Sequence, residues 1–350
     1  MTAVLSISSV DKKLSTFTSN LEIVGLEPRN GGEKMNKKAI ILMSLMIFTV
    51  TAFPCLSTVQ AKITEVNDLE GYTEYYGTMG GANFYILIPD DWTNPLGDGM
   101  LVVMCRSAGY IEDPRDSVLD YPFAVGLAMS GIAVAASNYG PSDNVKDGVI
   151  RTHQLTMYVT DNYDVTGKVF LFGTSLGGNV ALLLGERHPD VYSGVLDNSG
   201  IKDWAAMYYD AVDYMADHAG EDDFLDVYYG GAIIQGFPST YGGTPDRKPN
   251  KYAKYSPTHH ADMSIPVISV VHVDDAIVDP TQTALYHAAL GDPSLHIIVQ
   301  VTESTPGVPP ITLPGFPPFS SWYGHFDPET FMAAAANLFV LIAWSNTFAP

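Results

Sequence analysis

The chain has 350 residues, with 18 Lys and Arg against 39 Asp and Glu, a formal charge of −21. That balance excludes a protein that grips nucleic acid through a broad basic face, and 46% hydrophobic residues with 11% aromatics are too apolar for a disordered chain. Its two cysteines, Cys55 and Cys105, supply neither a disulfide scaffold nor a Cys-rich metal site.

The N-terminal region reads as an export signal. Met35-Asn36-Lys37-Lys38 is a short positive stretch, and Ala39 to Phe53 follows as a mostly apolar run shorter than the ~20 residues needed to cross a bilayer. Pro54 breaks the run, and Val59-Gln60-Ala61 sets modest side chains ahead of a cleavage point before Lys62. The expectation is a signal peptide over 35–61, a non-native extension over 1–34 with Met35 as the natural start, and a secreted chain over 62–350. Cleavage there removes six basic and four acidic residues, leaving 12 − 35 = −23. Such a charge favours neutral or cationic partners and disfavours anionic polymers and a lasting hold on membranes after cleavage.

Along the mature chain, short apolar runs alternate with helical stretches. Tyr72 to Tyr76 and Asn83 to Pro89, bounded by Gly80-Gly81 and Asp90-Asp91, suggest an antiparallel start. Further strands are predicted at Leu101 to Cys105, Ile132 to Ala136, Val169 to Phe172, Gly194 to Leu196, Pro266 to Val273 and Leu295 to Val301. Helices are predicted at Ser117 to Met129, Val145 to Val159, Leu176 to Glu186, Thr281 to Leu290 and Pro328 to Trp344. Continuous rather than alternating apolar strands, each followed by a helix, specify a doubly wound, mostly parallel α/β sheet covered on both faces. Residues 201 to about 262 interrupt the rhythm with a Tyr- and Asp-rich segment that reads as a small cap insertion. Residues 305–319 carry six prolines, a composition that stiffens a loop.

The chemistry starts at Gly173-Thr174-Ser175-Leu176-Gly177. A G-x-S-x-G string alone is weak, but this one follows the strand Lys168 to Phe172 and opens the helix from Gly178. A serine on so sharp a strand-to-helix turn is exposed as a nucleophile, and glycines are needed where side chains would collide with the neighbouring strand and helix. The helix start also aims N–H groups and its positive end at the place where an oxyanion would form. A serine hydroxyl needs a base, oriented in turn by a carboxylate. After the strand Val267 to Val271 come Asp274, Asp275 and Asp279. Asp275 is the first choice for the acid, and Asp274 and Asp279 remain open because adjacent residues on an extended segment point to opposite sides. The base is expected at His325, in a loop after the last strand and before the final helix, with Trp322 and Tyr323 as candidate pocket walls.

The other histidines carry duller readings. His188, His287 and His296 read as packing or surface, and His153 and His218 lie in helical stretches without pattern. His259-His260 is an adjacent pair lacking a nearby third ligand and reads as a polar loop, so no metal site is expected. The acidic cluster from Asp210 to Asp226 lacks calcium-loop spacing and reads as a solvated face. Cys105 reads as a core residue.

Strand, elbow and helix around Ser175, followed by acid and then histidine, resemble the α/β-hydrolase superfamily over most of residues 70–345. Ala82-Asn83-Phe84 through Pro89-Asp90-Asp91-Trp92 is similar to secreted esterase-type members, and Tyr255-Ser256-Pro257 into Ile265-Pro266-Val267 to prolyl-oligopeptidase-like ones. Ser107-Ala108-Gly109-Tyr110 stands where that superfamily usually has His-Gly, and is closer to the S-x-G-Y form of cutinase-like polyester hydrolases. His272-Val273 replaces the usual His-Gly before the acid. The resemblance implies an oxyanion hole from the backbone N–H groups of Tyr110 and Leu176, no cofactor, and a small-molecule or polymeric carboxylic ester as substrate. A serine peptidase uses the same machinery and is the alternative, as is a binding protein on this fold that has lost its chemistry. A dehalogenase places Asp where Ser175 stands.

Overall fold

The computed structural model describes residues 60–106, 113–119, 121–140, 144–218, 220, 225–302, 325 and 328–348. Tyr110, Trp322 and Tyr323 lie outside the described residues, as do residues 1–59.

Nine strands form one sheet in the order β1-β2-β3-β5-β4-β6-β7-β8-β9. They are β1 (Ala61–Leu69), β2 (Tyr72–Met79), β3 (Ala82–Pro89), β4 (Met100–Cys105), β5 (Ile132–Ser137), β6 (Val169–Thr174), β7 (Gly194–Asn198), β8 (Val267–His272) and β9 (His296–Val301). The first three pair antiparallel and join β5 antiparallel, and every pairing from β5 to β9 is parallel.

The central strands are apolar on both faces because both faces are covered. Along β4 and β6, Leu101, Val103, Val169 and Leu171 enter one core, while Met100, Val102, Met104, Phe170 and Phe172 enter the other. The first core is closed by α3 (Val145–Asn162) and α4 (Leu176–Arg187), which contribute Val149, Leu155, Val180 and Leu183. The second is closed by α2 (Pro122–Met129) and by α9 (Pro328–Ser345), which contribute Leu127, Leu338 and Ile342. Burial of this many aliphatic side chains, at about 25 cal/mol per Å² of apolar surface, is the main force holding the sheet and helices together.

Two local predictions differ from the structure. The helix expected over Ser117 to Met129 is two helices, α1 (Asp116–Leu119) and α2, because Pro122 at the start of α2 has no N–H to continue a helix through it and Tyr121 before it is extended (φ −103°, ψ 94°). Strand β1 was not predicted at all. It is an edge strand, exposed along nearly its whole length and bulged between Ile63 and Glu65, so its sequence carries no buried apolar face.

Between β7 and β8 the chain forms α5 (Trp204–His218), a π-helix (Asp226–Gly236), α6 (Phe237–Tyr241), α7 (Pro249–Lys254) and a 3₁₀ turn (Pro257–His259). The tyrosines of this insertion pack largely on one another and on neighbouring aromatics: Tyr214 on Tyr229 at 5.1 Å between centroids, Tyr241 on Tyr252 at 4.6 Å, Trp204 on Phe237 at 4.7 Å. The helix α8 (Thr281–Ala289) follows β8. Among the described residues, no helix is long and apolar enough to cross a membrane.

Candidate active site

Strands β6, β7 and β8 are parallel neighbours in matched register, Thr174 opposite Asn198 and Asn198 opposite Val270. Ser175 directly after β6 and Asp275 just after β8 therefore emerge at the same carboxyl edge of the sheet, the edge where open α/β sheets carry their sites.

Ser175 is a non-glycine residue at φ 57°, ψ −121°, 3% exposed. Such a conformation persists only where the surroundings impose it. Here the Ser175 N–H donates to the Asn198 carbonyl at 2.9 Å, and its own carbonyl accepts from Asn179 N at 3.2 Å. The flanking glycines make the turn possible. A Cβ on Gly173 would run into the Gly177 backbone, and one on Gly177 into the carbonyl of Cys105 at the end of β4. The elbow is thus wedged between its own helix and the next strand with no room for a methyl group. Leu176 is the first residue of α4, so its N–H lies in the turn that has no helical carbonyl to donate to.

His325 is fully buried, and its Nδ1 lies 2.8 Å from Asp275 Oδ2. The other carboxylate oxygen, Oδ1, accepts from Ile277 N and Val278 N, each at 2.9 Å. With both oxygens engaged, the Asp275 carboxylate is fixed in plane beside the His325 ring. The competing carboxylates are elsewhere. Asp274 is exposed, and its N–H donates to His272 Nδ1 at 3.0 Å. Asp279 is exposed and accepts from Thr281 N at 2.7 Å, at the start of α8. The structure thus brings Asp275 to His325 and leaves Asp274 and Asp279 apart from it.

Two framing residues have no motif to announce them. Asn179, fully buried one turn into α4, donates through Nδ2 to the carbonyls of Ile201 (2.8 Å) and Tyr255 (3.0 Å), one at each neck of the insertion. Tyr229, in the π-helix, donates to the carbonyl of Ala276 (2.6 Å), the residue after Asp275. Neither shows in a one-dimensional pattern, since each works across more than twenty residues of chain.

Behind the elbow lies a buried ion pair. Lys202 Nζ is 2.6 Å from Asp197 Oδ2, with side chains 1% and 0% exposed. Asp197 also accepts from Gly200 N (2.9 Å) and Ser269 Oγ (2.8 Å), and Lys202 donates to the Gly200 carbonyl (2.8 Å). His296, expected to be packing or surface, is buried, with Nε2 2.8 Å from Ser269 Oγ. Its pKa is lowered to about 3, first by burial and then by the positive charge of Lys202 and by His287. Cys105 is buried, and burial pushes its thiol up, away from the reactive thiolate.

His259 is 3.6 Å from Asp203, and His260 Nε2 lies 3.0 Å from the Lys254 carbonyl. His153 stacks on His188 with ring centroids 3.9 Å apart.

A nine-stranded, mostly parallel sheet with a strained serine at its carboxyl edge has the α/β-hydrolase fold. Residues 123–266 match the family model described as "Putative esterase". Similar solved structures include puromycin hydrolase, at 16% identity and TM-score 0.51, covering 83% of this chain and 40% of that one. Others are Est1E from Butyrivibrio proteoclasticus, at 14% identity and TM-score 0.48 over 81% of this chain and 100% of that one, and acetyl xylan esterase 1 from Thermoanaerobacterium sp., at 15% identity and TM-score 0.46 over 79% and 96%. The chain spans about 40% of the length of puromycin hydrolase. Comparison with curated proteins finds no match.

Proposed function

We propose that the protein is a secreted serine hydrolase that cleaves carboxylic esters through an acyl-enzyme on Ser175. The observations that carry this reading are a strained elbow serine directly after β6 and a buried His325–Asp275 contact whose aspartate follows β8, a parallel strand ending at the same sheet edge. In the proposed mechanism, His325 Nε2 takes the Ser175 proton as Oγ attacks the ester carbonyl, and Asp275 stabilises the resulting imidazolium. The tetrahedral oxyanion accepts from the N–H groups of Leu176 and Tyr110, each such donor being worth a factor of ~10² to 10³ in turnover. His325 then protonates the leaving alcohol as the C–O bond breaks. Water, deprotonated by the same imidazole, attacks the acyl-enzyme, and the acid leaves with Ser175 restored.

The match over 123–266 to an esterase family model supports ester rather than amide cleavage. The likeness in fold to puromycin hydrolase keeps a serine peptidase as the second reading. Trp322 and Tyr323 are assigned as walls of the substrate site, and export rests on the signal-like segment 35–61. The test is turnover of a p-nitrophenyl ester series beside a peptide anilide, in the wild type and in Ser175→Ala. Ester turnover that falls by a factor of about 10⁶ in the variant supports the proposal. Substantial activity without the hydroxyl refutes the mechanism, and preference for the anilide selects the peptidase reading.

A further inference from the structure

The turn that carries Asp275 is held from two sides. On its inner side, the N–H groups of Ile277 and Val278 donate to Asp275 Oδ1, each at 2.9 Å. On its outer side, the hydroxyl of Tyr229 lies 2.6 Å from the Ala276 carbonyl and 3.3 Å from the Ile277 carbonyl. These are two peptide groups, not four independent contacts. The Ala276 C=O and the Ile277 N–H belong to one planar amide, and the Ile277 C=O and the Val278 N–H to the next. In a trans amide the carbonyl and the N–H point in opposite directions. A donor on the carbonyl therefore fixes the plane from behind and polarises the N–H in front of it, strengthening the bond that the N–H makes.

Tyr229 is built for this place. Its side chain is 5% exposed, and its ring is held by Tyr214 and Tyr228. Burial, and then the neighbouring Tyr228 and the Asp275 charge, push its phenol up, so the hydroxyl keeps its proton and donates. It sits in the π-helix, a rare, wide geometry that recurs at functional sites.

We propose that Tyr229 is a positioning residue, through which the insertion fixes the amide cradle of Asp275 and so the orientation of His325. This rests on the reading of Asp275 and His325 as the acid and base that serve Ser175. A consequence is that the insertion is part of the catalytic frame.

The test is Tyr229→Phe, which removes one oxygen and keeps the ring contacts, with Tyr241→Phe as a control elsewhere in the insertion. Two readouts are taken: kcat and KM on a p-nitrophenyl ester, and the low-field proton resonance of the His325 Nδ1–H bonded to Asp275. Tyr229→Phe is expected to lower kcat roughly tenfold, the size of one lost hydrogen bond, with KM unchanged and the resonance moved upfield, whereas Tyr241→Phe moves neither. Wild-type kcat with an unmoved resonance in Tyr229→Phe overturns the inference, as does an equal effect of Tyr241→Phe. The resonance reports the His325–Asp275 bond whether or not esters are substrates. A shifted resonance in a protein that never turns over esters upholds the positioning role and sinks the ester reading, and Ser175-dependent turnover indifferent to Tyr229→Phe does the reverse.

Discussion

His325 and Asp275, fifty residues apart in the chain, meet at 2.8 Å in the protein interior, and no other carboxylate of the acid loop shares that contact. A buried imidazole whose Nδ1 meets a carboxylate is held in one tautomer by that contact. Replacing Asp275 by Asn leaves the shape and reverses that preference, because an amide nitrogen in place of Oδ2 cannot accept from Nδ1–H. The expected result is a loss of about 10⁴ in kcat. Asp274→Asn and Asp279→Asn, both exposed, are expected to stay within a few-fold of wild type, and steady-state kinetics on the three variants checks the assignment.

The elbow predicts a contrast between glycines. An added methyl at Gly177 meets the Cys105 carbonyl, and neither backbone can yield. Gly177→Ala is expected to lower Tm by more than about 10 °C or to abolish soluble expression. Gly126 in α2 has open space around a Cβ, so Gly126→Ala removes a helix-weakening glycine and is expected to add roughly 0.5–1 kcal/mol. Thermal melts of the pair measure both.

The Lys202–Asp197 pair is buried deeply enough that neither charge can be left alone. Lys202→Met strands the Asp197 carboxylate among the Gly200 and Ser269 donors and is expected to destabilise by about 3–5 kcal/mol. The double variant Lys202→Met, Asp197→Asn leaves no orphaned charge and is expected to recover much of that loss. Denaturant unfolding of the three proteins tests the point, and a double variant worse than Lys202→Met contradicts it.

Much of this was legible in the sequence for a definable reason. Apolar runs such as Leu101 to Cys105 and Val169 to Phe172 are buried on both faces, so the chain declares them without ambiguity of register. The elbow was legible because three requirements, a glycine on each side of a serine and a strand before a helix, coincide within a few residues. For the acid the sequence favours Asp275 but leaves Asp274 and Asp279 open, since the choice depends on which side of the turn faces His325, and a long-range contact decides that. Strand β1 escaped because an exposed edge carries no apolar period. The wide-turn helix around Tyr229 escaped because nothing in Asp226 to Gly236 distinguishes it locally from an ordinary helix, and the acid loop it touches lies nearly fifty residues further on.

Two titratable groups, one half-buried and one buried, give stability opposite pH slopes. Burial raises the Glu186 carboxyl to about 8, against a smaller lowering effect from the Tyr286 hydroxyl 3.1 Å away. The folded state then holds a proton that the unfolded chain releases, so stability falls as pH rises from about 4.5 through 8. His296, lowered to about 3, does the reverse: the unfolded chain takes up a proton that the fold refuses, so stability falls as pH drops from about 6.5 towards 3. Glu186→Gln keeps an acceptor for Tyr286 and removes the alkaline loss. Its Tm is expected to exceed that of the wild type at pH 9 and to match it near pH 4.5, as a melting series across pH would show.

The central claim, that Ser175 is a nucleophile activated by His325, is met most directly by covalent labelling. A fluorophosphonate probe followed by peptide mass spectrometry is expected to place one adduct per chain on Ser175, with none in Ser175→Ala and a labelling rate slowed by orders of magnitude in His325→Ala. A folded protein that takes no label, or takes it on another residue, contradicts the account.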